Sequence, residues 1–232
     1  MRTLPEQIAD DLGAAIARGE YRKGDRLLEQ ELSALYDVSR GPVREALRIL
    51  AQRDLAEIYP RRGAFVTGVN LDSLVDLFNI RAVFMGLAAR YFAVMADLES
   101  RAALDAALAK MDAASRHPEL EAQDFQRHTA RVGRIITEGC GSDSLRRSIE
   151  HQNQSSAWTS LWQSGRLDFT TPDRRRQATA DYLAMGAAIR RHDGEGAEAV
   201  MRKMLMVSRQ NAVAALAETR GETFDTRRLL QA

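Results

Sequence analysis

Arg40, Arg44 and Arg48 recur every four residues, a spacing that lines three guanidinium groups along one side of an α-helix. A planar guanidinium can donate two parallel hydrogen bonds to O6 and N7 of guanine in the major groove, which is wide enough to admit a helix. The same helix needs a core side, and Val43, Ala46, Leu47 and Leu50 supply one centred about 110° from the arginine stripe. Ser39 is a good N-cap for such a helix, and Pro42 falls in its first turn, where proline is tolerated. Gly41 allows the helix N-terminus to come close to a DNA backbone, whose phosphates its free amide groups can bind. The chemistry implied is recognition by charge and hydrogen bonding. No nucleophile elbow, phosphate loop or complete metal cluster accompanies it, so catalysis is not expected.

Positioning these arginines takes further elements. Leu4, Ile8, Leu12 and Ile16 share a helical face, Pro5 suits its first turn and Gly19 supplies a stop. A turn through Lys23-Gly24-Asp25 leads to a short helix around Glu29 to Tyr36, with Leu32 and Leu35 apolar, and a tight turn at Asp37-Val38 opens into the arginine helix. Leu55 to Tyr59 and Ala64 to Thr67 are β-prone runs separated by Pro60-Arg61-Arg62-Gly63, the pattern of a hairpin. Its basic tip could reach a neighbouring minor groove or backbone. Three helices and a small β-hairpin predict a winged helix-turn-helix over residues 1–69. Beyond a boundary near Asn70 the periods lengthen and become helical throughout. Six helices are expected, at 71–96, 98–116, 119–138, 142–164, 173–191 and 194–219, with breaks at Gly139-Cys140-Gly141, Thr170-Thr171-Pro172 and Asp193-Gly194. The fold class is therefore mainly α: the winged domain, then an all-α six-helix bundle over residues 71–232.

With 232 residues, 45% hydrophobic and 28% charged, the chain has the makings of one large or two small globular domains. One cysteine, Cys140, excludes an intramolecular disulfide and a cysteine-based zinc site, and a reducing cytoplasm is the expected location. No apolar run is read as nearing the ~18 residues of a membrane span, so no membrane partner is expected. The net charge of +1 carries no hint of a polyanionic partner. The hint is local: between Ser39 and Gly63 six arginines face only Glu45, Asp54 and Glu57.

At this point the residues resemble a known family. Gly19, Gly24, Leu32, Ser39-Arg40, Pro42-Val43-Arg44-Glu45-Ala46-Leu47 and Arg62-Gly63-Ala64-Phe65-Val66 follow the pattern of the N-terminal winged helix of the GntR family of bacterial transcription regulators, almost without gaps over residues 7–66. The resemblance implies DNA contacts from Ser39, Arg40, Gly41 and Arg44, with Arg62 and Gly63 at the wing tip; Arg48 joins them from the stripe. Gln30 stands where many members carry an operator-reading Arg, so operator sequence or affinity should differ here. The second part resembles, with less specific motifs, the all-helical ligand domain of the FadR subfamily, and six helices point to its shorter, VanR-like branch. Its anchors include Arg81, Asp124 with His128, Ala188-Ile189-Arg190 and Ala197 to Arg202.

Many such domains hold a divalent metal with one Asp and three His, and the metal receives the carboxylate of a small organic acid. Asp124-x-x-x-His128 puts a carboxylate and an imidazole one turn apart, workable for zinc, nickel or manganese. The positions counted for the other two imidazoles carry Tyr182 and Met204, poor ligands for a hard ion. His117 and His192 are expected in exposed positions, and His151 is a weak substitute. A bound metal is therefore disfavoured, no cofactor is certain, and a metal-free pocket is expected. There Arg81 would grip a carboxylate, with Asn153, Tyr182 and His128 as neutral contacts; an internal ion pair is the equal alternative for Arg81. Trp158, Trp162 and the Met201, Met204 and Met206 set are read as packing.

The resulting expectation is a homodimeric regulator, a repressor by default, that binds a pseudo-palindromic double-stranded operator and responds to a small effector, a carboxylate above all. The second reading is a ligand-independent dimeric DNA-binding protein whose helical domain only dimerises.

Overall fold

The computed structural model describes residues 3–17, 19–53, 55–67, 71–154, 168–220 and 223–229. Contacts gather into two compact units, one holding the described residues up to Ser73 together with 153–154, and the other holding 74–152 and the described residues from Asp168 on. Asn70, Trp158, Trp162 and the second half of the expected 142–164 helix lie outside the described residues.

In the first unit, α1 (Leu4–Ala17) begins with a reciprocal cap between Thr3 and Glu6 and buries Ile8, Leu12 and Ile16, while Leu4 stays exposed. It lies against α3 (Arg40–Gln52), and the pair is braced by Arg53 donating to Asp10 at 2.8 Å. Tyr36, just past α2 (Glu29–Leu35), donates to Asp11 at 2.7 Å. The turn between α2 and α3 places Asp37 at φ +51°, a left-handed conformation that Asp tolerates. Leu35 is exposed rather than packed, so only Leu32 anchors α2 from within.

The sheet has three strands where the sequence suggested two. Between α1 and α2, the short β1 (Arg26–Leu27) pairs antiparallel with β3 (Gly63–Val66), whose other edge pairs with β2 (Ala56–Tyr59). Two residues are too few to show alternation, and only the partner strand reveals them. Leu27, Ala56, Ala64 and Val66 point into the core. The hairpin turn sets Arg61 at φ +62° and Gly63 at φ +94°, the second being a conformation that glycine alone takes without strain.

The second unit contains six α-helices among the described residues: α4 (Leu71–Met95), α5 (Leu98–Ser115), α6 (Ala122–Gly139), α7 (Asp143–Gln154), α8 (Pro172–Arg190) and α9 (Gly194–Arg220). A 3-10 turn, Thr226–Arg228, follows. Helix α6 starts three residues later than expected because residues 117–120 form a turn, Leu120 donating to the carbonyl of His117. Asp97 and Thr171 cap α5 and α8 with their side chains. Arg101 braces the opposite ends, donating to the carbonyls of Ala93, Ala96 and Ile189 at the C-termini of α4 and α8. Gly139 marks a tight crossing, since a Cβ there would stand 2.5 Å from the buried ring of Phe92.

The expectation that no apolar run approaches membrane-spanning length is corrected by α4, which is long and apolar enough by composition. Its inner face is a core face, with Leu74, Val75, Phe78, Ala82, Met85, Ala89 and Phe92 buried, and Arg81 interrupts it where a bilayer would penalise charge. On the other side Ile80, Val83, Tyr91 and Val94 are exposed and fall within an arc of about 80° at helical spacing.

Candidate DNA interface and effector pocket

Helix α3 divides as its sequence demands. Val43, Ala46, Leu47 and Leu50 are at most 3% exposed, and burial of each large one contributes roughly 1.5–3 kcal/mol. Arg40, Arg44 and Arg48 are all exposed, as are Ser39, Gly41, Gln30, Arg62 and Gly63. Ser39 has the extended backbone of an N-cap, but its hydroxyl makes no capping bond within the helix. A Cβ at Gly41 would touch nothing closer than Ser39 Oγ at 4.0 Å, so the protein itself does not require glycine there.

The three arginines are held differently. Arg44 Nε donates to both carboxylate oxygens of Glu29, at 2.9 and 2.8 Å, which raises its guanidinium above the ordinary value. Arg48 Nη1 donates to Glu45 at 3.1 Å, three residues back on the same helix. On the wing, Arg62 lies 5.7 Å from the Tyr59 ring centroid and Arg26 lies 5.9 Å from that of Phe65. Arg26 on β1 also comes within 3.4 Å of where a Gly63 side chain would begin. Sequence reasoning did not include Arg26 or Glu29. The missing β1 strand hid the first, and the second is visible only once α2 is folded against α3.

In the second unit Arg81 and Tyr182 come together. Burial pushes the Arg81 guanidinium down to about 10, and Tyr182 stands near enough for the ionisation of each to affect the other. Burial likewise raises the Tyr182 phenol to about 12, so it remains protonated. Tyr182 stands close to Thr129, whose hydroxyl donates to the carbonyl of Gln126 at 2.9 Å. Gln126 is 3% exposed, and its amide nitrogen has no hydrogen-bond partner among the described residues.

Asp124 and His128 occupy the half-buried flank of α6. Asp124 is ion-paired with Arg127, and burial lowers the His128 pKa against the opposing pull of Asp124. Asn153 is exposed near the end of α7. His117 and His192 are exposed; His151 is exposed too, lining with Arg147 and Ser144 an open cleft of 540 Å³. A signal for Thr129 was available: Phe125, Val132 and Ile136 set the inward face of α6, and Thr129 falls at its centre.

These residues do not fit the metal of the related domains. Among the described residues no group of three His, Cys, Asp or Glu comes together. Tyr182 is a neutral phenol held protonated by burial, and Met204 offers a buried thioether. Beside this region Asp168, 2% exposed, accepts from Arg174 Nε at 2.8 Å, Arg174 Nη2 at 2.9 Å and Asn211 Nδ2 at 2.9 Å. That network lay outside the sequence reading.

Residues 4–66 match the family described as "Bacterial regulatory proteins, gntR family", and residues 76–206 match the FCD domain. The chain is 35% identical over 99 residues to the HTH-type transcriptional regulator BphR of Paraburkholderia xenovorans, covering 43% of this chain and 40% of that protein. It is 35% identical over 77 residues to the gluconate operon transcriptional repressor of Bacillus licheniformis, covering 33% and 31%. It thus spans less than half the length of these two curated relatives. The solved structure of McbR/YncC from E. coli superposes with a TM-score of 0.61 at 22% identity, over 94% of this chain and 99% of that one, a likeness of fold. An arginine-bearing helix-turn-helix with a basic wing at residues 4–66, joined to a helical domain matching over more than half the chain, shows that the protein belongs to the GntR family, in the group that carries an FCD domain.

Proposed function

We propose that this protein is a transcription regulator, a repressor, that binds a pseudo-palindromic operator as a homodimer in the cytoplasm and is released by a small carboxylate effector. The observation carrying the DNA part is the division of α3 into a buried face and an exposed arginine face, with the wing tip also exposed. Two recognition helices related by a two-fold axis would take the two half-sites. The exposed apolar stripe on α4 supports a second copy as its occupant, and the gluconate operon transcriptional repressor among the relatives supports repression.

For the effector, Arg81 is the donor to a carboxylate, and Tyr182, Thr129 and the spare amide of Gln126 supply neutral contacts. Asp124 and His128 on the flank of α6, and Asn153 near the end of α7, are further candidate contacts. The effector acts through its different affinities for DNA-competent and DNA-incompetent dimers. DNA binding is tested by titrating labelled duplex at several salt concentrations. Affinity should fall steeply with salt, and Arg40→Ala should flatten that slope; a slope near zero would contradict the reading. The pocket is tested by thermal shift of chelator-treated protein with small carboxylates and sugar acids, with and without zinc or nickel. A ligand at a hundred times its Kd adds about 2.7 kcal/mol. Stabilisation by an acid alone, lost in Arg81→Met, is the expected result. Stabilisation only with metal would overturn the metal-free pocket, and none with any acid would favour the helical domain as a dimerisation module.

A further inference from the structure

Arg44 is held unlike its neighbours in the stripe. Its Nε–H lies against both carboxylate oxygens of Glu29, across the turn between α2 and α3. The five N–H groups of a guanidinium sit in a rigid fork. With Nε taken by Glu29, the two Nη groups keep their paired edge, the edge whose geometry matches O6 and N7 of guanine, and neither has an acceptor among the described residues. Arg48 is held instead through Nη1 by Glu45, so one of its own Nη groups is occupied.

Glu29 opens α2, where an acidic residue also favours the helix dipole, but Glu31 in the same turn already meets that need. A carboxylate beside residues that face a polyanion weakens the general attraction to phosphate. Its presence suits a device that directs one guanidinium rather than one that raises affinity for every sequence.

We propose that Glu29 is a positioning residue for base recognition: by holding Arg44 Nε it presents the Nη edge to a guanine and fixes the preference at one base pair of each half-site. This rests on the reading of α3 as the DNA-contacting helix. Holding the side chain before binding removes part of the ordering cost of the contact.

The test uses the duplex most enriched by the native protein from a random-sequence pool, and a scrambled duplex of the same length. The preference is the ratio of the two affinities, measured for the native chain, E29A, E29Q, R44A and the E29A/R44A double variant, with thermal melts to verify folding. E29A and E29Q should each lower the preference about tenfold, as expected for one bidentate base contact, with the loss confined to substitutions at one position of each half-site. The double variant should fall no further than R44A. The slope of log affinity against log salt should not flatten in the Glu29 variants, because no phosphate contact is removed. If R44A loses preference while both Glu29 variants keep it, or tighten on both duplexes alike, the proposal is overturned and the reading of α3 stands. If R44A itself keeps the native preference, that reading falls and this inference falls with it.

Discussion

At the scale of single residues the decisive groups are Arg40 and Arg44, both exposed on the side of α3 away from its core. Arg40→Ala and Arg44→Ala should each cost about 1–3 kcal/mol of operator affinity, read by anisotropy titration; unchanged affinity in both would remove them from the interface. These positions were legible in the sequence because helical period alone separates the arginines from Val43, Ala46, Leu47 and Leu50. The proposed pocket was legible only in part: Arg81 and Tyr182 lie near one another, Asp124 pairs with Arg127 on the flank of α6, and Thr129 takes its inward position. A register error of one residue on a helix turns a side chain by about 100°, enough to move it from core to flank. His128 gives a pH test. Its folded pKa is depressed by burial, so the unfolded imidazole binds a proton first on acidification, and stability present above about pH 6.5 is lost as pH falls below it. His128→Gln should show a smaller drop in Tm between about pH 7.5 and about pH 5.5 than the native chain. An equal drop would mean that burial of His128 does not contribute.

Among the elements, the helices were readable because period, caps and glycine breaks agree. What escaped was set by contacts distant in sequence. Strand β1 exists only because β3 offers it an edge, and the Asp168–Arg174 pair is joined by Asn211 from α9. Asp168 is 2% exposed, and removing one partner of a buried pair leaves the other charge uncompensated, at a cost of about 3–5 kcal/mol. Asp168→Ala should therefore lower the unfolding free energy in urea by that amount, and a change below about 1 kcal/mol would place the pair among those worth little, as on a surface. The α6–α4 contact at Gly139 offers an independent check. An added methyl would press on the fully buried Phe92 ring, so Gly139→Ala should destabilise by about 1–3 kcal/mol through overpacking, measured by the same titration.

For the whole molecule, family membership joins a gntR-type unit to an FCD unit, and the proposed function requires two copies and a coupling between ligand and DNA. Placing a carboxylate in the exposed α4 stripe, as in Val83→Glu with Val94→Glu, should yield monomers in sedimentation and weaken operator binding; dimers that persist would move the interface elsewhere. The assignment to the branch with six helices depends on residues 155–167, outside the described set. The central claim, that two copies of α3 read a symmetric site, is tested most directly by selecting duplexes from a random pool with the native protein and sequencing those retained. The account predicts one enriched pattern with two-fold symmetry, its half-site centres about one helical turn or a multiple apart, and no enrichment by an Arg40→Ala, Arg44→Ala double variant. Recovery of unpatterned DNA, or the same pattern with the variant, would contradict it.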